Sequence, residues 1–187
     1  MEKNFISQTF KIENAAKDDN GLKVEGFCCH YNQRNLNGEM VDDNSYKAFF
    51  TLYNEGKLKP HFNWNHTDMI IGGIDTIESK DKGLYISCHL NNDVALVRDM
   101  IAPNILAGDL DSFSTEESPL NGYEDIVQLK DNGFYLKNAI LRGVAIVSIP
   151  ADWTAKFTVA NYLKELGVEL ENKKDEIEKN RKWYLFS

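Results

Sequence analysis

Cysteine is scarce in this chain: Cys28, Cys29 and Cys88 are the only three in 187 residues. That is too few, and too irregularly placed, for a disulfide framework, and it fits a reducing, cytosolic setting. No C-x-x-C pair occurs, which argues against a structural zinc site. Cys29-His30 and Cys88-His89 are no better as nucleophile–base pairs, because adjacent residues on a strand face opposite sides. The thiols are expected to be buried and free. Positive charge is also in deficit, with 21 Lys and Arg against 29 Asp and Glu and a net charge of -8. This speaks against a broad nucleic-acid-binding face. No stretch approaches the roughly 20 apolar residues that span a bilayer, and Met1–Ser7 lacks the apolar run of a signal peptide. Internal repeats and low-complexity linkers are absent as well.

What is present suits a globular domain, with 42% hydrophobic and 27% charged residues. The length accommodates one domain with a sizeable core and a tail. Strands are predicted over Phe5–Ile12 and Leu22–His30, separated by the polar turn Lys17–Gly21, with the second covered on both faces. Asp42–Ser45 offers N-cap candidates for a helix whose stripe is Tyr46, Phe49, Phe50 and Tyr53, closed by Gly56. Strands follow over Leu58–Trp64 and Met69–Glu78, the latter turning at Asp81–Gly83 into Leu84–Leu90 as a hairpin. A second helix starts near Asn92–Asp93 with Val94, Val97, Ile101 and Ile105 on one stripe, and Pro103 ends or kinks it near Ala102. Three more strands are expected over Leu110–Glu117, Tyr123–Lys130 and Phe134–Ile149, the last bent or split at Gly143. Beyond Pro150 the pattern turns helical, and Glu169–Lys182 alternates charge before the apolar Trp183–Phe186. The fold class is therefore α+β: a small, mostly antiparallel β-barrel flanked by helices (residues 1–157), with a charged helical C-terminal tail (158–187).

The chemistry-bearing residues come in a suggestive order. His66 closes the segment Pro60-His61-Phe62-Asn63-Trp64-Asn65-His66. The hydroxyl-rich Gly108–Glu117 follows, with Ser112 and Ser114 on one strand face, and then the apolar Leu141–Ala151. A serine hydroxyl is a weak nucleophile until a base takes its proton, and neutral imidazole suits that task near pH 7. A third group normally fixes the imidazole tautomer. Asp68, Asp75 and Asp111 are the nearest acids in sequence, and His61 offers a further imidazole. Arg142 or backbone N–H groups near Gly143 could meet an oxyanion, although a plain surface arginine fits the pattern better.

Four landmarks together resemble the caudovirus prohead serine proteases, a family similar in fold to the herpesvirus assembly proteases. They are the strand at Gly26-Phe27 followed by the helix with Phe49; His66 with Ile71–Ile74 and the Gly83-Leu84 hairpin; Gly108–Ser114; and Val144–Val147 leading to Pro150-Ala151. They cover residues 20–157. The resemblance implies His66 as general base and Ser114 as nucleophile, with Ser112 as fallback, and no metal or cofactor. The family usually places a Glu two positions before a Ser on the late strand, and here those positions are Gly143 and Ala145. The herpesvirus enzymes place a second histidine there, yet the last histidine here is His89.

Two readings follow. In one, the chain is a prohead maturation protease cleaving scaffold and major-capsid-protein extensions inside the assembling prohead in the host cytoplasm, with self-association as a homo-oligomer left open. Neither nucleic acid nor membrane is then a partner. In the other, it is a non-catalytic relative serving as a structural or scaffolding part of phage assembly. A weaker third is an unrelated β-barrel binding module. Trp183–Phe186 is either a docking peptide or a cap on the barrel.

Overall fold

The computed structural model describes residues 9–11, 14–18, 21–130 and 132–148. The segment Phe5–Gln8, the chain beyond Ser148, the boundary at residue 157 and the predicted tail lie outside the described residues. Eleven strands are present among the described residues: β1 (Thr9–Lys11), β2 (Asn14–Asp18), β3 (Gly21–His30), β4 (Glu39–Met40), β5 (His61–Trp64), β6 (Ile70–Lys80), β7 (Gly83–Leu90), β8 (Ser112–Pro119), β9 (Ile126–Gln128), β10 (Phe134–Leu136) and β11 (Ala139–Val147). Two short helices, α1 (Lys47–Asn54) and α2 (Ala102–Ala107), accompany them. The architecture is mixed α+β, as expected. Eight strands form one sheet in the order β1-β8-β11-β5-β6-β7-β3-β2, and β4-β10-β9 form a small second sheet. The large sheet curls into a half-barrel. Among the described residues its end strands β1 and β2 do not pair with one another, so the sheet described is a half-barrel where a closed barrel was expected.

Most expected elements are found where periodicity placed them, and the departures have local causes. Asn14–Asp18 is a strand paired to β3 as far as Asp18 level with Gly21, so Lys17, Asp18 and Gly21 are strand residues where a turn was expected. The stretch predicted as one strand over Phe134–Ile149 is two: β10 belongs to the small sheet, and β11 starts only at Ala139. Asn138 is tied back by its side chain to Asp125 at 2.6 Å, and Lys137 N–H bonds the Asp125 carbonyl at 2.8 Å. These bonds hold the corner. The irregularity expected at Gly143 is a β-bulge between Leu141 and Gly143 that leaves Arg142 as the extra residue. Tyr123–Lys130 is a 3₁₀ turn (Gly122–Asp125) followed by the short β9. β3 buries one face fully and the other only in part, since Lys23 is exposed.

α1 follows a 3₁₀ turn, and Ser45 N–H donates to Asp42 Oδ1 at 3.0 Å to satisfy an orphan donor there. The helix ends at Gly56, whose φ of +70° permits the paired bonds Gly56 N–H to Tyr53 and Lys57 N–H to Leu52. Its predicted stripe faces inward, with Tyr46 and Phe49 fully buried. The second helical stretch buries Val97, Ile101 and Ile105. Residues Val97–Ile101 form a π-type turn, and Ala102 N–H reaches back five residues to Val97. Pro103 then falls in the first turn of α2, where a missing N–H is tolerated. The hydrogen-bond period thus changes at Ala102, the point where an end or kink was expected. No helix among the described residues is long and apolar enough to cross a membrane.

The core between the inner sheet face and the helices contains Val24, Phe62, Ile71, Ile86, Phe113, Val144 and Ile146. The cysteines are free and buried, as expected, and burial pushes each thiol well above its ordinary pKa. One acid is in the core with them. Glu117 is 1% exposed and accepts a hydrogen bond from the Tyr46 hydroxyl. Burial raises its pKa above the usual carboxylate value, against the opposing hydrogen bonds from Tyr46, Thr115 and Glu39. The neutral form is therefore the one the fold favours. Its stability contribution is complete below the unfolded pKa and declines as pH rises through the raised folded value. Glu117→Gln is expected to flatten that decline, read as urea midpoints that differ less between pH 5 and pH 8 than in the wild type.

Candidate functional site

The site is assembled on the outer face of β5, β11 and β8. β11 runs parallel to β5 with Gly143 level with His61 and Ala145 level with Asn63. It runs antiparallel to β8 with Gly143 level with Glu116 and Ala145 level with Ser114. Two rows therefore cross the strands, His61–Gly143–Glu116 and Asn63–Ala145–Ser114. The middle positions carry little or no side chain, so groups on the outer strands can meet over them.

His66 reaches these rows through a tight turn. Asn65 and His66 both have positive φ, +50° and +59°, and Thr67 N–H closes the turn on the Trp64 carbonyl at 3.0 Å. Asn65 N–H bonds the Ile146 carbonyl at 2.9 Å, anchoring the turn to β11. A left-handed histidine costs about 1–2 kcal/mol, and such outliers persist where the surroundings over-determine them. Here the reversal aims the imidazole back onto β8.

His66 Nε2 lies 2.8 Å from Ser114 Oγ, and His66 Nδ1 lies 3.2 Å from Glu116 Oε1. An ionised carboxylate can only accept, so Nδ1 carries the proton and Nε2 is left to accept from the serine hydroxyl. Asn63 Nδ2 donates to the same Oε1 at 2.6 Å, and His61 Nε2 meets Oε2 at 3.0 Å. Burial opposes the charge of Glu116. The hydrogen bonds from His66 and Asn63, with the fields of His61 and His66, outweigh it and draw the carboxyl down to about 2. Ser114 and Glu116 are buried, whereas the His66 and His61 side chains are 29% and 42% exposed. A hydroxyl, an imidazole and a carboxylate in this order can pass the serine proton to Nε2 while the carboxylate steadies the Nδ1–H.

His66 and Ser114, predicted from sequence, are thus brought together. Ser112 is not part of the contact, since its hydroxyl donates to Asp111 at 2.7 Å. The acids weighed from sequence are elsewhere: Asp111 on Ser112, Asp75 on His89 at 2.5 Å, and Asp68 exposed. Arg142 is exposed, as a surface arginine would be. The acid that sequence reasoning missed is Glu116. Strand alternation carried the signal, because residues 114 and 116 share one face. Position 143, where the resemblance implies an acid, lies on the neighbouring strand directly beside Glu116.

A family model described as caudovirus prohead serine protease matches residues 9–167. The chain belongs to that family. Among solved structures, this prohead protease resembles the capsid assembly protease of bacteriophage T4, with a TM-score of 0.61 at 15% sequence identity. The match covers 78% of this chain and 98% of the T4 chain. At that identity the likeness speaks for the fold. Comparison with curated proteins finds no match.

The low pKa of Glu116 sets a pH signature. A depressed carboxyl contributes stability that is present above its unfolded pKa and is lost as pH falls through the folded value. Between pH 5 and pH 3 the prohead protease should lose stability that a Glu116→Gln variant does not lose. Urea unfolding of both proteins at the two pH values measures the difference.

Proposed function

We propose that this prohead protease is a serine endopeptidase in which Ser114 is the nucleophile, His66 the general base and Glu116 the orienting acid. The observation that carries the reading is the 2.8 Å contact from Ser114 Oγ to His66 Nε2, with Glu116 on the other ring nitrogen. Attack of Oγ on a peptide carbonyl transfers its proton to Nε2, and the imidazolium then protonates the leaving amine. Water, activated by the same imidazole, hydrolyses the acyl-enzyme and regenerates the serine. Glu116 stabilises the transient imidazolium and holds its tautomer.

The substrates are the scaffold and the extensions of the major capsid protein, cleaved within the assembling prohead in the host cytoplasm. The family and the similarity to a phage capsid assembly protease support this assignment. The non-catalytic reading rested on the absence of an acid at Gly143. Glu116, directly across the strand pair from Gly143, supports the catalytic reading in its place. Confinement inside a shell keeps substrate concentration high, so modest turnover would suffice.

Co-expression with the cognate capsid precursor, followed by intact-mass analysis, tests the assignment. Specific cleavage is expected for the wild type and is expected to vanish in His66→Ala and Ser114→Ala. Glu116→Gln should lower kcat by on the order of 10⁴-fold, the loss typical of a triad whose imidazole holds the wrong tautomer. Cleavage that survives Ser114→Ala in folded protein would assign the nucleophile elsewhere.

A further inference from the structure

Glu116 is held by more than its partnership with His66 requires. His66 and Asn63 both bond Oε1, and the second oxygen, Oε2, is met by His61 Nε2 at 3.0 Å. The last torsion of a glutamate is broad and roughly two-fold, so donors on one oxygen alone leave the carboxylate plane free to turn. A donor on each oxygen fixes that plane, and with it the direction in which Oε1 faces Nδ1.

The route His61 takes explains the residue at 143. Its ring lies across β11, and a Cβ added at Gly143 would fall 2.6 Å from Nε2, 2.8 Å from Cδ2 and 2.9 Å from Cε1. Contacts that short force the ring to move. Gly143 is therefore the space through which His61 reaches Glu116. The His61 side chain is also 42% exposed and borders a cavity of about 830 Å³ shared with Lys59, Asp75 and His89. A half-exposed imidazole has water available for its hydrogen bonds, so burial does not force the bond to Glu116.

We infer that His61 is a positioning residue of the site: it donates Nε2–H to Glu116 Oε2 and locks the carboxylate against His66, and Gly143 exists to let it pass. The inference rests on the Ser114–His66–Glu116 reading. It accounts for the missing side chain at 143, because the place one would fill is taken by the His61 ring.

The test compares wild type, His61→Ala, His61→Gln, Gly143→Ala, the double variant of His61→Ala with Gly143→Ala, and Ser114→Ala on the capsid precursor. Beside the kinetics, proton NMR follows the downfield resonance of the His66 Nδ1–H that bonds Glu116, a signal independent of turnover. His61→Ala should lower kcat about 10- to 100-fold, the range for losing one charge-assisted hydrogen bond, with KM unchanged and the resonance lost or shifted upfield. His61→Gln should restore both, since its amide N–H reaches the same oxygen. Gly143→Ala should reproduce the His61→Ala defect and add nothing to it in the double variant, as coupled neighbours do.

His61→Ala with wild-type kcat and an intact resonance, alongside an inactive Ser114→Ala, would overturn the role of His61 and leave the protease reading standing. A folded wild type with neither cleavage nor the resonance would overturn the protease reading, and the role of His61 with it. Should His61→Ala fail to fold, a folded Gly143→Ala with full kcat and an unmoved resonance overturns the inference in its place.

Discussion

The register between β5, β11 and β8 brings one carboxylate within reach of three donors on another part of the chain. Parallel pairing sets His61 beside Gly143 and Asn63 beside Ala145, and antiparallel pairing sets the same two residues beside Glu116 and Ser114. A slip of one residue would turn every side chain on the slipped strand to the other face. The buried residues Phe62, Phe113, Val144 and Ile146 prevent it, because the slip would carry them out of the core. The core thereby holds the site in register even though none of its members is part of the site.

Adjacent glutamates on β8 show how far the face of a strand decides chemistry. Glu116 shares the outer face with Ser114 and is drawn down to about 2 by donors that outweigh its burial. Glu117 points inward to Tyr46, where burial outweighs its hydrogen bonds and pushes its carboxyl up. One residue of separation therefore divides a charged acid suited to orienting an imidazole from an acid that the interior favours as neutral. Geometry alone makes the difference, since both residues are the same amino acid on one strand.

The strain at His66 belongs to the same design. A histidine at φ +59° is an expensive way to end a strand, yet it turns the ring back onto the sheet where an extended residue would point away. The anchoring bond from Asn65 to Ile146 joins the turn to β11, so the strand that spaces Ser114 from His61 also sets the place of His66. Family membership and the likeness in fold to the T4 capsid assembly protease fit a scaffold of this kind. Glu116 sits on β8, one strand over from Gly143 on β11.

Much of the fold was legible in the sequence. Strand-forming runs bounded by turn signals placed β3, β6, β7 and β8, and the spacing of Tyr46, Phe49, Phe50 and Tyr53 placed α1, because local residue order carries both signals. The order of His66 and Ser114 was legible too, through the family resemblance. Hidden from sequence were the break at Lys137-Asn138, fixed by side-chain bonds to a distant aspartate, and the open edge of the sheet, fixed by which strands pair. The third group of the site was hidden for the same reason. Glu116 and Gly143 are 27 positions apart in the sequence and become neighbours only when β8 and β11 pair. Sequence determined which residues could do the chemistry; strand register decided which of them meet, because hydrogen bonds act over about 3 Å of space and take no account of distance along the chain.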